Sequence, residues 1–265
     1  MGSLRVMMIG DVVGDPGLNV LESTLCPFIL ENQIDFVIAN GENIFGGFGI
    51  TAPLLERLFA VGVNIVTGGN HIWEQREFWP VLESEERMLR PMNYPMGSPG
   101  RGWVKAESSA KNGEPLSLYI VNLQGREYMT PLDCPFKTFD SLIESIPEKS
   151  IVFIDFHAES SSEKEALAYY IDGRASCIAG THTHVQTADE RILPGGTAYI
   201  TDLGMTGVLD GVIGMDPKIC IDRARSQVLY RMEPAKPDEN SRTAIQGLIA
   251  DIDIESGRAV SVKRV

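Results

Sequence analysis

Short apolar runs alternate with longer amphipathic segments along the first part of the chain. The runs at 5–10, 35–40 and 63–69 are bounded by glycine or polar residues and predict buried strands. Apolar residues recur at helical spacing behind Pro16, and Thr51 is the expected N-cap of a second helix. This alternation predicts an α/β fold in which helices cover a largely parallel sheet.

The rest of the chain follows the same scheme less regularly. Further strands are predicted at 116–123, 150–159 and 175–180, with a serine-capped helix over 162–172. Toward the carboxyl terminus the pattern is strand-like, in the segments TAYITDLGM, SQVLYRM, AIQGLIADID and AVSVKRV. The polar segment EPAKPDENS predicts an exposed loop, and no repeat or linker divides the chain. We therefore expect one domain over residues 1–265.

Polar side chains with metal-binding chemistry follow five of the predicted strands. In open parallel sheets, ligands bind outside the carboxyl ends of the strands. All four histidines of the chain occur at such ends, together with carboxylates and carboxamides. The set comprises Asp11, Glu42, Asn43, Asn70, His71, His157, His182 and His184. In an extended backbone, the two histidines of GTHTH would face the same way and aim at one spot.

Each of these residues has a simpler interpretation when it is taken alone. Asp11 is a typical turn or capping residue, NG in the segment NGEN is a strong turn dipeptide, and Asn70 is a typical cap. His157 alone is compatible with a hydrogen-bonded buried histidine, and HTH is a modest indication of a metal site. Caps and turns do not readily explain nitrogen and oxygen ligands at five separate strand ends, so the joint pattern favours a metal centre.

The donor set indicates what such a centre would hold. Imidazole suits zinc, iron, manganese, cobalt or nickel, and a set without cysteine disfavours a structural thiolate zinc site. Seven ligands exceed the need of one tetrahedral ion, so we expect two ions that share a bridging carboxylate, an arrangement suited to phosphoryl displacement. His71 then remains as the proton donor to the leaving oxygen, with an eighth ligand or a hydrogen-bonding support as the alternatives.

Composition narrows the range of partners. The net charge of −13 argues against binding to duplex nucleic acid, whereas a small phosphate ester is compatible with a site that holds metal cations. The four cysteines are far apart and indicate reduced thiols, as in a cytoplasmic protein. No apolar stretch is long enough to cross a membrane, and Asp11 follows too soon for a signal peptide. We expect a cytoplasmic homo-oligomer that acts on a small molecule.

Six stretches of the chain carry a more specific signal. They are IGDVVGDPG, IANGENIFGGFGIT, TGGNHIWE, VNLQGREYM, DFHAESSSEK and GTHTHVQTADERILPGGTAYITDLGMTG. In this order they resemble the YmdB family within the calcineurin-like metallophosphoesterase superfamily. The resemblance implies a four-layer αββα sandwich of two mixed sheets flanked by helices.

The resemblance also implies a dinuclear-metal phosphodiesterase, with nucleoside 2′,3′-cyclic phosphates as the characteristic substrates. Iron is the implied metal, with manganese or zinc as alternatives. The implied ligand sets are Asp11, Glu42, Asn43 and His184 for one ion, and Glu42, Asn70, His157 and His182 for the other. Glu42 would bridge the ions, a bridging hydroxide would attack phosphorus, and His71 would be the general acid.

The chain departs from the wider superfamily at three motif positions. Val13 stands in the first motif where histidine is usual, and Glu42 replaces a bridging aspartate. Ile72 follows His71 where an acidic residue is usual, with Glu74 two positions further on. The first two departures agree with the YmdB family, and the third leaves open which group orients His71.

Two other functions stay open at this point. One is a regulatory or scaffolding protein whose metal site senses a ligand. The other is a phosphomonoesterase or phospholipid phosphodiesterase, because substrate choice depends on the shape of the pocket. Arg101 and Arg126 are candidates for phosphate or ribose contact, and Phe45, Phe48 and Trp73 for base stacking, with surface solvation and local packing as the alternatives.

Overall fold

Fourteen strands and six helices occur in residues 2–109 and 115–265, the part of the chain that the computed structural model describes. In the first half they are β1 (Ser3–Ile9), β2 (Asp11–Val12), α1 (Gly14–Asn32), β3 (Phe36–Asn40), α2 (Ala52–Ala60), β4 (Ile65–Thr67), α3 (Trp79–Ser84), β5 (Trp103–Ser109) and β6 (Pro115–Gln124). The others are α4 (Pro135–Ile143), β7 (Ile151–His157), α5 (Ser161–Ile171), β8 (Cys177–Thr181), β9 (Arg191–Ile192), β10 (Ala198–Ile200), β11 (Met205–Val208), α6 (Pro217–Ser226), β12 (Thr243–Ala244), β13 (Gly247–Asp253) and β14 (Ala259–Arg264).

The strands form two large mixed sheets and a small one. The first sheet has the order β14-β13-β1-β3-β4, with β1, β3 and β4 parallel and β13 and β14 antiparallel. The second has the order β5-β6-β7-β8-β10-β9, parallel from β6 to β10 and antiparallel at both edges. Each sheet therefore contains the parallel strands that strand–helix alternation predicts, but they are divided between two mixed sheets instead of forming one largely parallel sheet. The small sheet is β12-β11-β2.

The two large sheets pack face to face and carry helices on their outer faces. Side chains such as Ile38 and Phe153 meet in an apolar layer between the sheets. On the other face of the first sheet, Leu21 of α1 belongs to a second apolar cluster, and Leu167 of α5 belongs to a third cluster on the second sheet. Burial of one such side chain stabilises the fold by about 1.5–3 kcal/mol. This is the αββα order that the family resemblance implies.

The inner faces of the sheets change from apolar to polar toward the carboxyl ends of the strands. On β7, Ile151 and Phe153 belong to the apolar layer, and Asp155 and His157 follow on the same face. The neighbouring strands change in the same way. The resulting buried residues, here called the polar layer, are Asn40, Thr67, Asn122, Asp155 and Thr181. This layer lies between the apolar core and the strand ends.

One predicted strand was wrong. The segment SQVLYRM contains the end of α6 and an exposed stretch without strand structure. Gln227 ends the helix with a φ of 58°, in the left-handed region. Within the described residues, Val228, Leu229 and Tyr230 are exposed and belong to no strand. Their side chains favour strands only when they pack against a neighbouring strand, and here they do not.

The structure also differs from the prediction in how two helices begin and in several elements that were not predicted. A serine caps α5 as predicted, but the helix begins at Ser161 and the cap is Ser160, whose hydroxyl accepts from the backbone N–H of Glu163. Thr51 precedes α2 as predicted, but its side chain makes no capping hydrogen bond within the described residues. Helices α3, α4 and α6 and strand β5 form where no element was predicted. Across the described ranges, no helix has both the length and the hydropathy needed to cross a bilayer.

Candidate metal centre

The polar residues predicted at the strand ends lie together above the polar layer. In the first sheet, the segments after β1, β3 and β4 carry four of the candidate ligands. In the second sheet, the end of β7 and the loop after β8 carry the other three. Every candidate ligand contacts at least one other. They are Asp11, Glu42, Asn43, Asn70, His157, His182 and His184.

Asp11, Asn43 and His184 form the first contact group. Asn43 Nδ2 lies 3.2 Å from Asp11 Oδ1 and 3.1 Å from His184 Nε2. His184 Nε2 is 3.5 Å from Asp11 Oδ1. His184 Nδ1 donates to the carbonyl of Ile213 at 2.9 Å, so the other ring nitrogen is directed at the group.

Glu42, Asn70, His157 and His182 form the second contact group. His157 Nε2 lies 2.9 Å from Glu42 Oε1, 3.0 Å from Asn70 Oδ1 and 3.1 Å from His182 Nδ1. The ligand atoms of the carboxylate and the two histidines all lie within 4.8 Å of one another. Two imidazole nitrogens, one carboxylate oxygen and one amide oxygen thus converge, and all four are atom types that bind transition metals.

The two contact groups adjoin each other. Asn43 Nδ2 of the first group is 3.5 Å from Glu42 Oε1 of the second. The backbone N–H of His182 donates to Asp11 Oδ2 at 3.1 Å, which links them again. Gly69 lies against the second group, where a Cβ would collide with His157 Nε2 and Glu42 Oε2. Only glycine fits there, because the backbone passes so close to the ligand atoms.

Each histidine of the two groups has a protein partner on its other ring nitrogen. His157 Nδ1 lies 2.9 Å from the hydroxyl of Thr181, and His182 Nε2 lies 3.1 Å from Glu159 Oε2. His184 uses a backbone carbonyl in the same way. Metal-binding histidines are typically held like this, with one nitrogen for the metal and one for a protein acceptor. The donor set therefore fits a metal centre.

Sequence reasoning did not single out Glu159 or Thr181. Both stand inside quoted motifs, Glu159 in DFHAE and Thr181 in GTHTH. The only signal was their position, because Glu159 lies two residues after His157 and Thr181 lies directly before His182. Their partners become visible only when β7 and β8 are paired.

The backbone of the GTHTH loop is not extended. His182 has a φ of 95° and His184 a φ of 60°, both in the left-handed region that non-glycine residues rarely adopt. The extended-backbone expectation that both rings aim at one spot is therefore wrong. His182 lies in the second contact group and His184 in the first. Such strain persists only where surrounding contacts hold it.

A buried ion pair anchors this loop. Asp202 Oδ2 accepts from Lys164 Nζ at 2.7 Å and from the Thr183 hydroxyl at 2.6 Å. Its other oxygen accepts from the N–H of Gly204 at 2.8 Å. Both charged side chains are fully buried. Thr183 stands between the two histidines, so the ion pair fixes the loop from the α5 side.

His71 lies at the edge of the second contact group. Its backbone N–H donates to Glu42 Oε2 at 3.0 Å, and its ring Nδ1 lies 3.2 Å from Glu74 Oε1. Phe48 packs edge-on against the ring, with centroids 4.9 Å apart. The ring is partly exposed, unlike that of His157. Glu74 is thus the acidic neighbour of His71, although it is displaced in sequence from the wider superfamily position.

Opposite charges outweigh burial at the first contact group. Burial favours the neutral form of Asp11, but the charge and hydrogen bond of His184 hold the pKa of that carboxyl well below its usual range. Burial likewise opposes the charged form of His184, yet the charge of Asp11 raises its pKa to about 9. The carboxylate is therefore ionised at neutral pH and ready for a cation.

In the second contact group, Glu42 and His157 likewise favour each other's charged form, and His182 is neutral. Burial opposes ionisation of Glu42, but the charge of His157 lowers its pKa, and Glu42 in turn raises the pKa of His157 against the effect of burial. Burial, followed by the charge of His157, lowers the pKa of His182 to about 3. His182 is thus neutral at pH 7, the form in which imidazole binds metals.

The remaining candidates lie in other contacts. Arg101 pairs with Glu86 at 2.8 Å on the surface, and Arg126 Nη2 lies 3.5 Å from the sulfur of Cys134. Trp73 stacks at a tilt on Tyr94, with centroids 4.3 Å apart, and donates to a backbone carbonyl. In the structure these contacts are a surface ion pair for Arg101, a thiol contact for Arg126 and aromatic packing for Trp73.

Comparisons with known proteins agree with the motifs. The chain matches the family of YmdB-like proteins over residues 7–265. It is 43% identical to the 2′,3′-cyclic-nucleotide 2′-phosphodiesterase of Bacillus subtilis (strain 168), covering 99% of this chain and 96% of the relative. It is 33% identical to a putative phosphatase/phosphodiesterase of Mycoplasma pneumoniae, covering 100% of this chain and 93% of the relative.

Solved structures show the same fold. A hypothetical protein from Thermus thermophilus superposes with a TM-score of 0.87 at 39% identity, covering 99% of this chain and 98% of the other. A novel phosphatase from Mycoplasma pneumoniae superposes with a TM-score of 0.90 at 31% identity, covering 100% and 93%. The calcineurin-like phosphoesterase YfkN of Bacillus subtilis, 9% identical with a TM-score of 0.58 and coverage of 100% and 90%, shares the fold alone.

Proposed function

Because the chain belongs to the family of YmdB-like proteins, we propose that it is a metal-dependent phosphodiesterase that hydrolyses nucleoside 2′,3′-cyclic phosphates. The observation that carries this proposal is the convergence of two carboxylates, two carboxamides and three imidazoles in two adjoining contact groups. The name of the Bacillus subtilis relative supports the cyclic substrate. Two metal ions fit the donors better than one, because seven side chains divide into two sets.

The ligand sets follow the contact groups, with Glu42 shared. We assign one ion to Asp11, Glu42, Asn43 and His184, and the other to Glu42, Asn70, His157 and His182. Iron is the proposed metal, with manganese or zinc as alternatives, since imidazole and oxygen donors suit all three. When bound, two such ions neutralise phosphate charge and make water a nucleophile at neutral pH.

The protein's own contribution at the leaving oxygen is a proton from His71. Glu74 accepts from Nδ1 of the ring and so directs Nε2 away from itself. The backbone N–H of His71 donates to Glu42 Oε2, which keeps the His71 imidazole beside the second contact group. A proton donor at the leaving oxygen accelerates such reactions by roughly 10²–10⁴-fold.

The reaction breaks one bond of the five-membered cyclic phosphate. An oxygen from water forms a new bond to phosphorus, and the proton that this water loses passes to solvent. The bond from phosphorus to the ribose 2′ oxygen breaks, His71 gives that oxygen a proton, and solvent then protonates His71 again. The product is a nucleoside 3′-phosphate, consistent with the 2′-phosphodiesterase name of the relative. We further propose that residues 1–265 form one domain, that the chain assembles as a homo-oligomer and that it acts in the cytoplasm.

The test is turnover of a panel of phosphate esters together with product identification. The panel contains 2′,3′-cyclic nucleotides, 3′,5′-cyclic nucleotides, nucleoside monophosphates and a phospholipid headgroup diester. Wild type is compared with His71→Ala, and the metal content of both is measured. We expect 3′-phosphate from the 2′,3′-cyclic substrates, and for His71→Ala two retained ions with a rate roughly 10²–10⁴-fold lower.

Three results would contradict the proposal. Turnover of monoesters or phospholipid diesters in preference to cyclic nucleotides would assign the site to a different substrate class. A His71→Ala protein that loses its metal would make His71 a ligand instead of an acid. A metal-loaded wild type without any turnover of the panel would favour a regulatory protein.

A further inference from the structure

Beneath the second contact group lies a chain of hydrogen bonds that the proposed reaction does not use. It runs from the carboxylate of Asp155 through the hydroxyl of Thr181 to Nδ1 of His157. All three side chains are buried, so bulk water does not replace a missing partner. Parallel pairing of β7 with β8 places His157 opposite Thr181 and thereby sets the contact.

The neighbours of Asp155 fix it as a hydrogen-bond acceptor. Its Oδ2 accepts from Asn40 Nδ2 at 3.0 Å and from the hydroxyl of Thr67. The orientation of the Asn40 amide is not arbitrary, because its Oδ1 accepts the backbone N–H of Glu42 at 3.1 Å. Only the NH₂ group of Asn40 is left to face the carboxylate. Asp155 Oδ1 then accepts from the Thr181 hydroxyl at 2.6 Å.

The hydroxyl of Thr181 has a single proton, and this fixes the direction of the chain. Because the proton goes to Asp155, the Thr181 oxygen acts as an acceptor toward His157 Nδ1, 2.9 Å away. Nδ1 therefore carries hydrogen. In the neutral ring Nε2 is then bare, and Nε2 is the atom that faces Glu42 and Asn70.

We propose that Asp155 and Thr181 are positioning residues that hold His157 in the Nδ1-protonated tautomer and so keep its Nε2 lone pair available to a metal ion. This inference rests on the proposed function, because it concerns one of the two ions assigned there. Neither residue is assigned as a ligand. Their effect passes through the orientation and tautomer of His157 alone.

Loss of the Thr181 hydroxyl changes which nitrogen of the neutral His157 ring carries the hydrogen. Without an acceptor at Nδ1, the neutral ring places its hydrogen on Nε2, where Glu42 Oε1 accepts it at 2.9 Å and Asn70 Oδ1 lies at 3.0 Å. An ion must then displace that hydrogen and leave a buried N–H without a partner. Loss of such supporting partners lowers metal affinity by roughly 10–100-fold.

Three variants and a matched control separate this role from a structural one. Thr181→Val removes the hydroxyl at similar volume, and Thr181→Ser restores it. Asp155→Asn keeps the hydroxyl but reverses the chain, because an amide NH₂ donates to Thr181 and turns its proton toward His157. Thr206→Val is the control, since its buried hydroxyl has no hydrogen-bond partner among the described residues.

Two readouts are measured on metal-free protein. The first is zinc affinity for each of the two sites, by competition titration. The second is the ¹⁵N spectrum of the histidine rings, recorded at pH values above their titration so that the neutral tautomer is seen. At each of the two sites, Thr181→Ser and Thr206→Val should bind zinc as tightly as wild type does. All three proteins should show the Nδ1–H tautomer of His157.

Thr181→Val and Asp155→Asn should lose roughly 10–100-fold in affinity at one site and show the Nε2–H tautomer. The inference is overturned if Thr181→Val keeps the Nδ1–H tautomer, or if Thr206→Val loses as much affinity as Thr181→Val. Neither readout requires turnover. A wild type that cleaves no cyclic nucleotide yet shows these differences refutes the proposed function and leaves the tautomer assignment intact.

Discussion

Replacement of Lys164 by methionine tests whether the buried ion pair holds the GTHTH loop. Methionine keeps most of the apolar stem and removes the charge that lies 2.7 Å from Asp202. Removal of one partner of a buried pair costs about 3–5 kcal/mol, because the other charge stays buried. Asp202 keeps its bonds to Thr183 and Gly204, so we expect the lower end, about 3 kcal/mol.

The assay is urea unfolding of the metal-free protein, with metal content measured after reloading. A loss of about 3 kcal/mol corresponds to a melting temperature lower by roughly 6–12 °C for a protein of this size. Lys218→Met is the matched control, because Lys218 forms an exposed pair with Asp222 at 3.2 Å. Its removal should cost less than about 0.5 kcal/mol.

The double variant Lys164→Met/Asp202→Asn separates charge from shape. With both charges gone, at least half of the lost stability should return, because no unpaired charge remains in the interior. The reasoning fails if Lys164→Met costs less than about 1 kcal/mol, the range of a surface pair. It also fails if the destabilised variant binds both ions as tightly as wild type, since Thr183 would then not couple the pair to the loop.

Three further outcomes follow from the site. Metal binding at pH 7.5 should release protons, and the affinity for the metal should rise with pH up to about 9. The reason is that the pKa of His184 is raised to about 9, and its Nε2 must lose a proton before it can bind a metal ion. Calorimetry in buffers of different ionisation enthalpy measures the number of protons released. The same raised pKa stabilises the metal-free fold below pH 6.5, and that contribution disappears as the pH rises through about 9; urea unfolding across this pH range checks it. Glu159→Ala should lower metal affinity roughly 10-fold, because His182 Nε2 loses its acceptor. Glu165 is as exposed as Glu159, and Glu165→Ala should leave the affinity unchanged. Equal losses for the two variants in a zinc titration would argue for a general charge effect.

Much of the site could be predicted because alternation and strand ends are local properties of the sequence. The run before Asp11 and the run before Asn40 are apolar and short, so each predicts where a strand stops. In parallel strands, those stops lie at the same edge of a sheet, and the carboxylates and histidines gather there. This rule accounts for the approach of Asn43 Nδ2 to Asp11 Oδ1, 3.2 Å apart, because both residues follow strands of the first sheet. The approach of His184, which follows β8 of the second sheet, also requires the two sheets to pack face to face.

The parts that could not be predicted depend on contacts between distant segments. The bond from Thr181 to Asp155 exists because β7 and β8 pair in one register, and a shift of one residue would point these side chains to the other face. The left-handed backbone at His182 is held by tertiary contacts, so residue propensities oppose it. Segment 226–232 has the composition of a strand, but it pairs with no strand in the described part of the chain.

The central claim is that two metal ions lie in the two contact groups and that the loaded chain cleaves a cyclic phosphodiester. Elemental analysis of purified wild type, paired with turnover of 2′,3′-cyclic nucleotides by the same sample, tests it most directly. We expect two transition-metal ions per chain, iron foremost, and 3′-phosphate as the product. We also expect that Glu42→Gln lowers both occupancies, since Glu42 adjoins both groups. Protein that binds no transition metal, even after incubation with iron, manganese or zinc, and cleaves no cyclic nucleotide would contradict it.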